Sequence, residues 1–192
     1  MKLDVIGIMS PGDMGHGVGR ALRESGWRVL TNLTGRSECT RGLAESAGLE
    51  DAGSLDAIMA QADLVVSIMP PAAAEGFAEE AAQAMATANR RPPFADMNAI
   101  SPATSAAIGR IITGAGASYI DGGIIGLTPG KGPPPRLYVS GPDAQHLERL
   151  TTESMIWRYV GPEAGRASTL KMLYAGLNKG TWALQATMAI AA

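Results

Sequence analysis

Apolar residues run almost unbroken over positions 5–9, Val-Ile-Gly-Ile-Met, and stop at Ser10, Pro11 and Gly12. A run this short and rich in β-branched residues predicts a parallel strand buried on both faces. From Asp13 to Glu24 the period changes to that of a helix, with Met14, Val18 and Leu22 on one side. The same switching continues down the chain. Strands are predicted over 27–33, 63–69, 93–98, 117–121, 136–140 and 155–160, and helices over 38–47, 55–62, 72–90, 101–113 and 142–150. Strands alternating with helices imply an α/β fold with a doubly wound, mostly parallel sheet, helices on both faces, and an antiparallel edge late in the chain.

Two segments depart from this rhythm. After the strand ending at Asp121, a turn is expected at Gly122 and Gly123. The stretch 124–135 then holds three glycines and four prolines, which predicts a loop over one mouth of the sheet. From 165 to 192 the pattern is one long helix. Ser168, Lys171, Tyr174 and Asn178 recur along it at helical spacing and share a face, while Leu170, Leu173 and Leu177 line another. A polar stripe on an otherwise apolar helix suggests a site, although a lysine in such a stripe can also be a surface residue with its stem lying along apolar atoms.

Composition narrows the class. With 46% hydrophobic and 18% charged residues, the chain is that of a globular protein with a sizeable core. A net charge of −2 with dispersed Lys and Arg leaves no footprint for nucleic acid, so a small-molecule partner is expected. The single cysteine, Cys39, excludes an internal disulfide and suits a reducing cytoplasm. His16 and His146 stand too far apart in sequence to suggest a metal site. The first nine residues lack the features of a signal peptide, and the apolar stretch 181–192 is too short for a membrane span.

The candidate chemistry begins at the first turn. Ser10, Pro11, Gly12, Asp13, Met14 and Gly15 follow a strand and open a helix; against G-x-G-x-x-G, the second and third glycines stand and the first is serine. Free N–H groups and the positive end of a helix dipole attract a dinucleotide diphosphate, and glycine lets the backbone approach it closely. A plain strand-to-helix connection would also fit a lone glycine triplet. At the end of the second strand, where an NAD site usually carries an acid, the chain has Asn32 and Leu33, followed by Arg36, Ser37 and Arg41. Cation and hydroxyl suit the 2′-phosphate of NADP, with NAD also possible; alternatively Ser37 caps the next helix and Arg36 is solvated.

Five motifs then stand in one order: the turn at Gly12 to Gly15; Val65-Val-Ser-Ile-Met-Pro70; Asp96-Met-Asn-Ala-Ile-Ser-Pro102; Asp121-Gly-Gly-Ile-Ile-Gly126; and Gly165-Arg-Ala-Ser-Thr-Leu-Lys171. Together they resemble the β-hydroxyacid dehydrogenase family, which includes 3-hydroxyisobutyrate and 6-phosphogluconate dehydrogenases. Within it the chain is most similar to 6-phosphogluconate-dehydrogenase-like oxidoreductases whose C-terminal domain is of unknown function. The resemblance implies a Rossmann-type NAD(P)-binding domain over 1–162 and, over 163–192, a linking helix that begins a helical domain absent from this chain. It also implies that Lys171 is the general acid or base, working best with an amine brought near neutrality by burial. Met69 and Pro70 match the turn beneath the cofactor ribose and nicotinamide, and Asn98 matches the loop that meets nicotinamide and substrate.

Departures fall on the substrate side. Relatives follow the lysine with an asparagine where this chain has Tyr174 and Ala175, and they carry Ser-Gly-Gly where it has Ile125, Gly126 and Leu127. The substrate residues implied are Gly123, Ile125, Gly126, Tyr174 and Asn178, in a pocket less polar than in those relatives. The exposed apolar end of the last helix implies a homodimer formed through it. Two functions are expected to compete: an NADP-dependent oxidoreductase acting on a small hydroxy-acid-like or carbonyl substrate, and a dinucleotide-binding module without turnover. A Rossmann-like methyltransferase fits less well, because the Met69–Pro70 turn and the lysine stripe argue against it.

Overall fold

The computed structural model describes residues 3–191; Met1, Lys2 and the predicted helix end at Ala192 lie outside them. Eight strands form one sheet: β1 (Val5–Met9), β2 (Arg28–Thr31), β3 (Glu50–Asp51), β4 (Leu64–Ser67), β5 (Phe94–Asp96), β6 (Tyr119–Ile125), β7 (Arg136–Ser140) and β8 (Ile156–Tyr159). Their spatial order is 3-2-1-4-5-6-7-8. β1 to β6 are parallel; β7 runs antiparallel to β6, and β8 parallel to β7. This is a Rossmann-like doubly wound sheet with the late antiparallel edge.

β1 shows why such strands read as continuous apolar runs. Ile6 and Ile8 enter one core with Val18 and Leu22 of α1 (Asp13–Glu24). Met9 enters the other, with Ile58 of α3 (Leu55–Gln61) and Phe77 of α4 (Ala74–Thr87). Each face of the strand is therefore covered, and alternation of apolar with polar is not needed. α2 (Glu38–Ser46) joins the first core through Ala44, and α5 (Pro102–Gly114) joins the second through Ile108 and Ile112. The chain leaves β1 for β2 on one side and later for β4 on the other, so a crevice opens at the carboxyl ends of β1 and β4.

Three expectations are corrected. The strand at 117–121 does not end in a glycine turn: β6 runs from Tyr119 to Ile125, and Asp121 to Ile125 pair residue by residue with β7. Its glycines serve close packing, since a Cβ on Gly122 would stand 2.2 Å from the Met97 sulfur and one on Gly123 2.8 Å from the Cβ of Lys171. The loop is accordingly shorter, spanning 126–135. The segment 142–150 forms a 3-10 helix, Ala144–Leu150. Ala144, Leu147 and Leu150 are all fully buried, and their spacing of three is the period of that helix. Before α4 the chain also makes a 3-10 turn at Pro71–Ala73 in place of an immediate α-helix.

The last helix, α6 (Arg166–Ala191), has two unlike halves. Ala167 and Ser168 are buried against the sheet. Beyond Met172, Leu173, Leu177, Trp182 and Ile190 are 68, 72, 66 and 87% exposed. No helix among the described residues is long and apolar enough to cross a membrane.

Candidate functional site

At the carboxyl end of β1 the chain turns on Ser10, whose φ of 65° lies in the left-handed region that costs a serine about 1 kcal/mol. The bend lets the Gly12 N–H donate to the Ser10 carbonyl at 2.8 Å, and Gly12 becomes the N-cap of α1. No side chain caps this helix. A Cβ on Gly12 would meet nothing within 4 Å, whereas one on Gly15 would stand 2.3 Å from the Ser10 carbonyl oxygen. Gly15 thus holds α1 against the turn, and Gly12 leaves the open side free. A turn with uncapped helical N–H groups, open at Gly12, fits a diphosphate.

Ser10, Arg36, Met69 and Pro70 are brought together around a cavity of about 210 Å³, with Ala73, Phe77 and Glu80 completing its wall. Asn32 lies at the end of β2, its side chain accepting from the Thr34 N–H at 3.0 Å. Ser37 caps α2 by accepting from the Thr40 N–H, and its hydroxyl donates to Thr40 Oγ1. Arg41 donates to the carbonyls of Arg36 and Leu33 and shapes the loop that carries Arg36. Asn98 is buried and its amide is occupied: Oδ1 accepts from the Met69 N–H at 2.6 Å and Nδ2 donates to Ser67 at 3.0 Å. It fixes the Met69–Pro70 turn from behind.

The lysine end is built differently. Lys171 lies over Gly123, and its half-buried Nζ donates to the Ile124 carbonyl at 2.6 Å, at the carboxyl end of β6. Burial, reinforced by the charge of Lys179, lowers the pKa of this amine. Beside it, Ile125, Gly126 and Tyr174 line an open cavity of about 610 Å³ with Leu170, Arg136 and Tyr138. Gly123 lies beneath Lys171 and outside that lining, and Asn178 donates to the Tyr174 carbonyl without reaching it.

Thr128, Lys131 and a row of buried polar side chains were not singled out by sequence. Asp13 accepts from Thr128 at 2.7 Å and pairs with Lys131, so the loop 126–135 is tied to the first turn of α1. These contacts hold the Asp13 carboxyl below its ordinary pKa. A row of polar side chains, Ser67, Asp96, Asp121 and Ser140, crosses four adjacent strands in register, all fully buried. Asp96 accepts from the Asn98 N–H at 2.8 Å, but its Oδ2 has no partner among the described residues; burial pushes its pKa up to about 6. The sequence signal for both acids was a carboxylate inside or ending an otherwise apolar strand.

Residues 4–152 match the family described as the NAD binding domain of 6-phosphogluconate dehydrogenase. The chain belongs to this family. An uncharacterised 28.5 kDa protein of Methanothermus fervidus, from the 7S RNA 5′ region, is 28% identical over 145 residues, covering 76% of this chain and 54% of that one. The conserved protein MTH1747, described as structurally similar to 3-hydroxyacid dehydrogenases, superposes with a TM-score of 0.81 at 29% identity, over 94% of this chain and 66% of its own. A reductive aminase from Aspergillus terreus in complex with NADPH and ethyl levulinate shares the fold, with a TM-score of 0.74 at 18% identity, over 100% of this chain and 65% of its own. The chain thus spans about half the length of the curated relative and under two thirds of these structures. What the matched family describes is an NAD-binding domain.

Proposed function

We propose that the protein is an NADP-preferring oxidoreductase that moves a hydride to or from a small hydroxy-acid-like or carbonyl substrate, with Lys171 as general acid or base. The observation that carries this is the amine of Lys171: half-buried, lowered in pKa by burial, and hydrogen-bonded to Ile124 at the same sheet edge that ends in the Gly12 turn. A bound nicotinamide dinucleotide would supply or accept the hydride. Ser10 to Gly15 would receive its diphosphate, Met69 and Pro70 would bound its ribose, and Asn98 would hold that turn in place. Lys171 would deliver a proton to the carbonyl oxygen, or remove one from the alcohol; lowering the amine's pKa eases the exchange of its proton. Ile125, Gly126, Tyr174 and Arg136 would surround the substrate, while Gly123 gives the lysine room and Asn178 braces the helix behind it. The exposed apolar half of α6 would be covered by a second copy in a homodimer, which sedimentation across a concentration series tests.

The preference for NADP rests on Arg36 beside Ser10 and on the absence of an acid at Asn32 and Leu33. Arg36→Ala should weaken NADPH about tenfold or more and leave NADH nearly unchanged, as expected for loss of a charge-assisted hydrogen bond. Equal affinity of the parent chain for the two cofactors would contradict it. Turnover is tested by cofactor oxidation with a panel of carbonyl compounds. Activity lost in Lys171→Ala while binding persists supports the enzyme; full-strength binding with no turnover in any form supports a binding module.

A further inference from the structure

Asp121 is fully buried, yet among the described residues no lysine, arginine or histidine contacts its carboxylate. Its Oδ2 accepts from the N–H groups of Gly165 and Ser168, each at 2.9 Å, and from the Ser140 hydroxyl at 2.9 Å. Its Oδ1 accepts from the hydroxyls of Ser105, at 2.7 Å, and Ser168. Ser140 in turn accepts from the Ala167 N–H at 3.1 Å. The strand pair thus satisfies three of the amides that begin α6, and the negative charge sits at the positive end of that helix.

The same two elements meet again one turn further on. Asp121 and Gly123 are two apart on β6 and share a face, while Ser168 and Lys171 are three apart on α6 and share a face. Pinning Ser168 over Asp121 therefore sets Lys171 over Gly123, where a missing Cβ gives the side chain room to reach the Ile124 carbonyl. We infer that Asp121 is the positioning residue of Lys171: a buried carboxylate that fixes the height and rotation of α6, and through them the place of the amine at the sheet edge. Asp121 itself touches neither the cavity nor the diphosphate turn.

This inference rests on the proposed role of Lys171 for its meaning in turnover, but its test does not need turnover. Lysine enriched in ¹³C at Cε allows each of the four lysines to be titrated by NMR in the full chain, with Lys171→Arg assigning the signal. In Asp121→Asn, α6 loses its anchor and the amine moves toward water, so the Lys171 titration shifts upward, toward that of an ordinary lysine. Dinucleotide affinity stays within about twofold of the parent. Loss of a negative charge acting directly through space would shift the titration downward instead, so a downward shift overturns the proposal, as does no shift. Ser168→Ala removes one bond to Asp121 with less risk to folding, and a smaller upward shift is expected; a folded Ser168→Ala with an unchanged Lys171 titration also overturns it. Where a carbonyl substrate is found, kcat in Asp121→Asn falls about 10²-fold with KM little changed, the effect of a misplacement of about 1 Å. Should no form turn over any substrate while the titration still moves upward, the enzymatic reading fails and the positioning stands.

Discussion

The two ends of the site are made of different materials. The turn at Ser10 to Gly15 is backbone: one residue at positive φ, two glycines with opposite jobs and an uncapped helix. The lysine end is side chain: a buried carboxylate with five donors, a second buried carboxylate without a full set, and an amine moved by burial. A backbone site depends on shape and tolerates charge changes around it. A side-chain site depends on where charge is held, so it should respond to pH and to single polar substitutions that leave the turn untouched.

The largest effect is expected at Gly15. A Cβ there meets a backbone oxygen at 2.3 Å, which no rotamer change relieves, so Gly15→Ala should lose about 3 kcal/mol or more of stability in chemical denaturation, with cofactor binding lost as well. Next is Asp96. Its carboxyl binds a proton more tightly in the folded protein than in the unfolded chain, with a pKa raised from 3.8 to about 6. Its contribution therefore favours folding fully below about pH 4 and is lost as pH rises through about 6, by up to ~3 kcal/mol. The parent chain should gain stability on going from pH 7.5 to 5, and Asp96→Asn should lack that gain and be the more stable form at pH 7.5. Denaturation midpoints at both pH values check the sign.

Gly123→Ala should cost about 1–2 kcal/mol, because α6 has only to lift away from the Lys171 stem, and it should leave dinucleotide affinity intact. Gly12→Ala is the mirror case. With φ at −73° and open space at its Cβ, it should leave stability unchanged within ~0.5 kcal/mol, yet weaken dinucleotide binding at least tenfold by standing where the diphosphate must approach. If Gly12→Ala instead unfolds the protein, or Gly123→Ala abolishes binding, the separation of the two ends is wrong.

This difference in material also explains what could be read from sequence. β1, its turn and α1 were legible because strand, glycines and helix are contiguous and each follows a local rule. The doubly wound, mostly parallel sheet followed from repeated βα units. β3 escaped because it is two charged residues, Glu50 and Asp51, paired only by their place beside β2. Gly122 and Gly123 looked like a turn because glycine breaks strands in isolation; pairing with β7 and contact with Met97 and Lys171 override that tendency. Asp121 stood in a motif, but its partners Ser105, Ser140 and the Gly165–Ser168 pair come from three separate stretches, and no local spacing joins them. Lys171 was singled out by helical spacing and by resemblance; its bond to the Ile124 carbonyl belongs to the tertiary structure alone.

A dinucleotide held at the start of α1 should place its reactive ring beside Lys171. Titrating NADPH into the ¹³C-lysine chain while following both cofactor fluorescence and the Lys171 signal tests it most directly. Binding should be saturable, with the Lys171 resonance shifting on the same isotherm and Lys179 unaffected. Saturable binding that leaves Lys171 unmoved, or no binding at all, would contradict it.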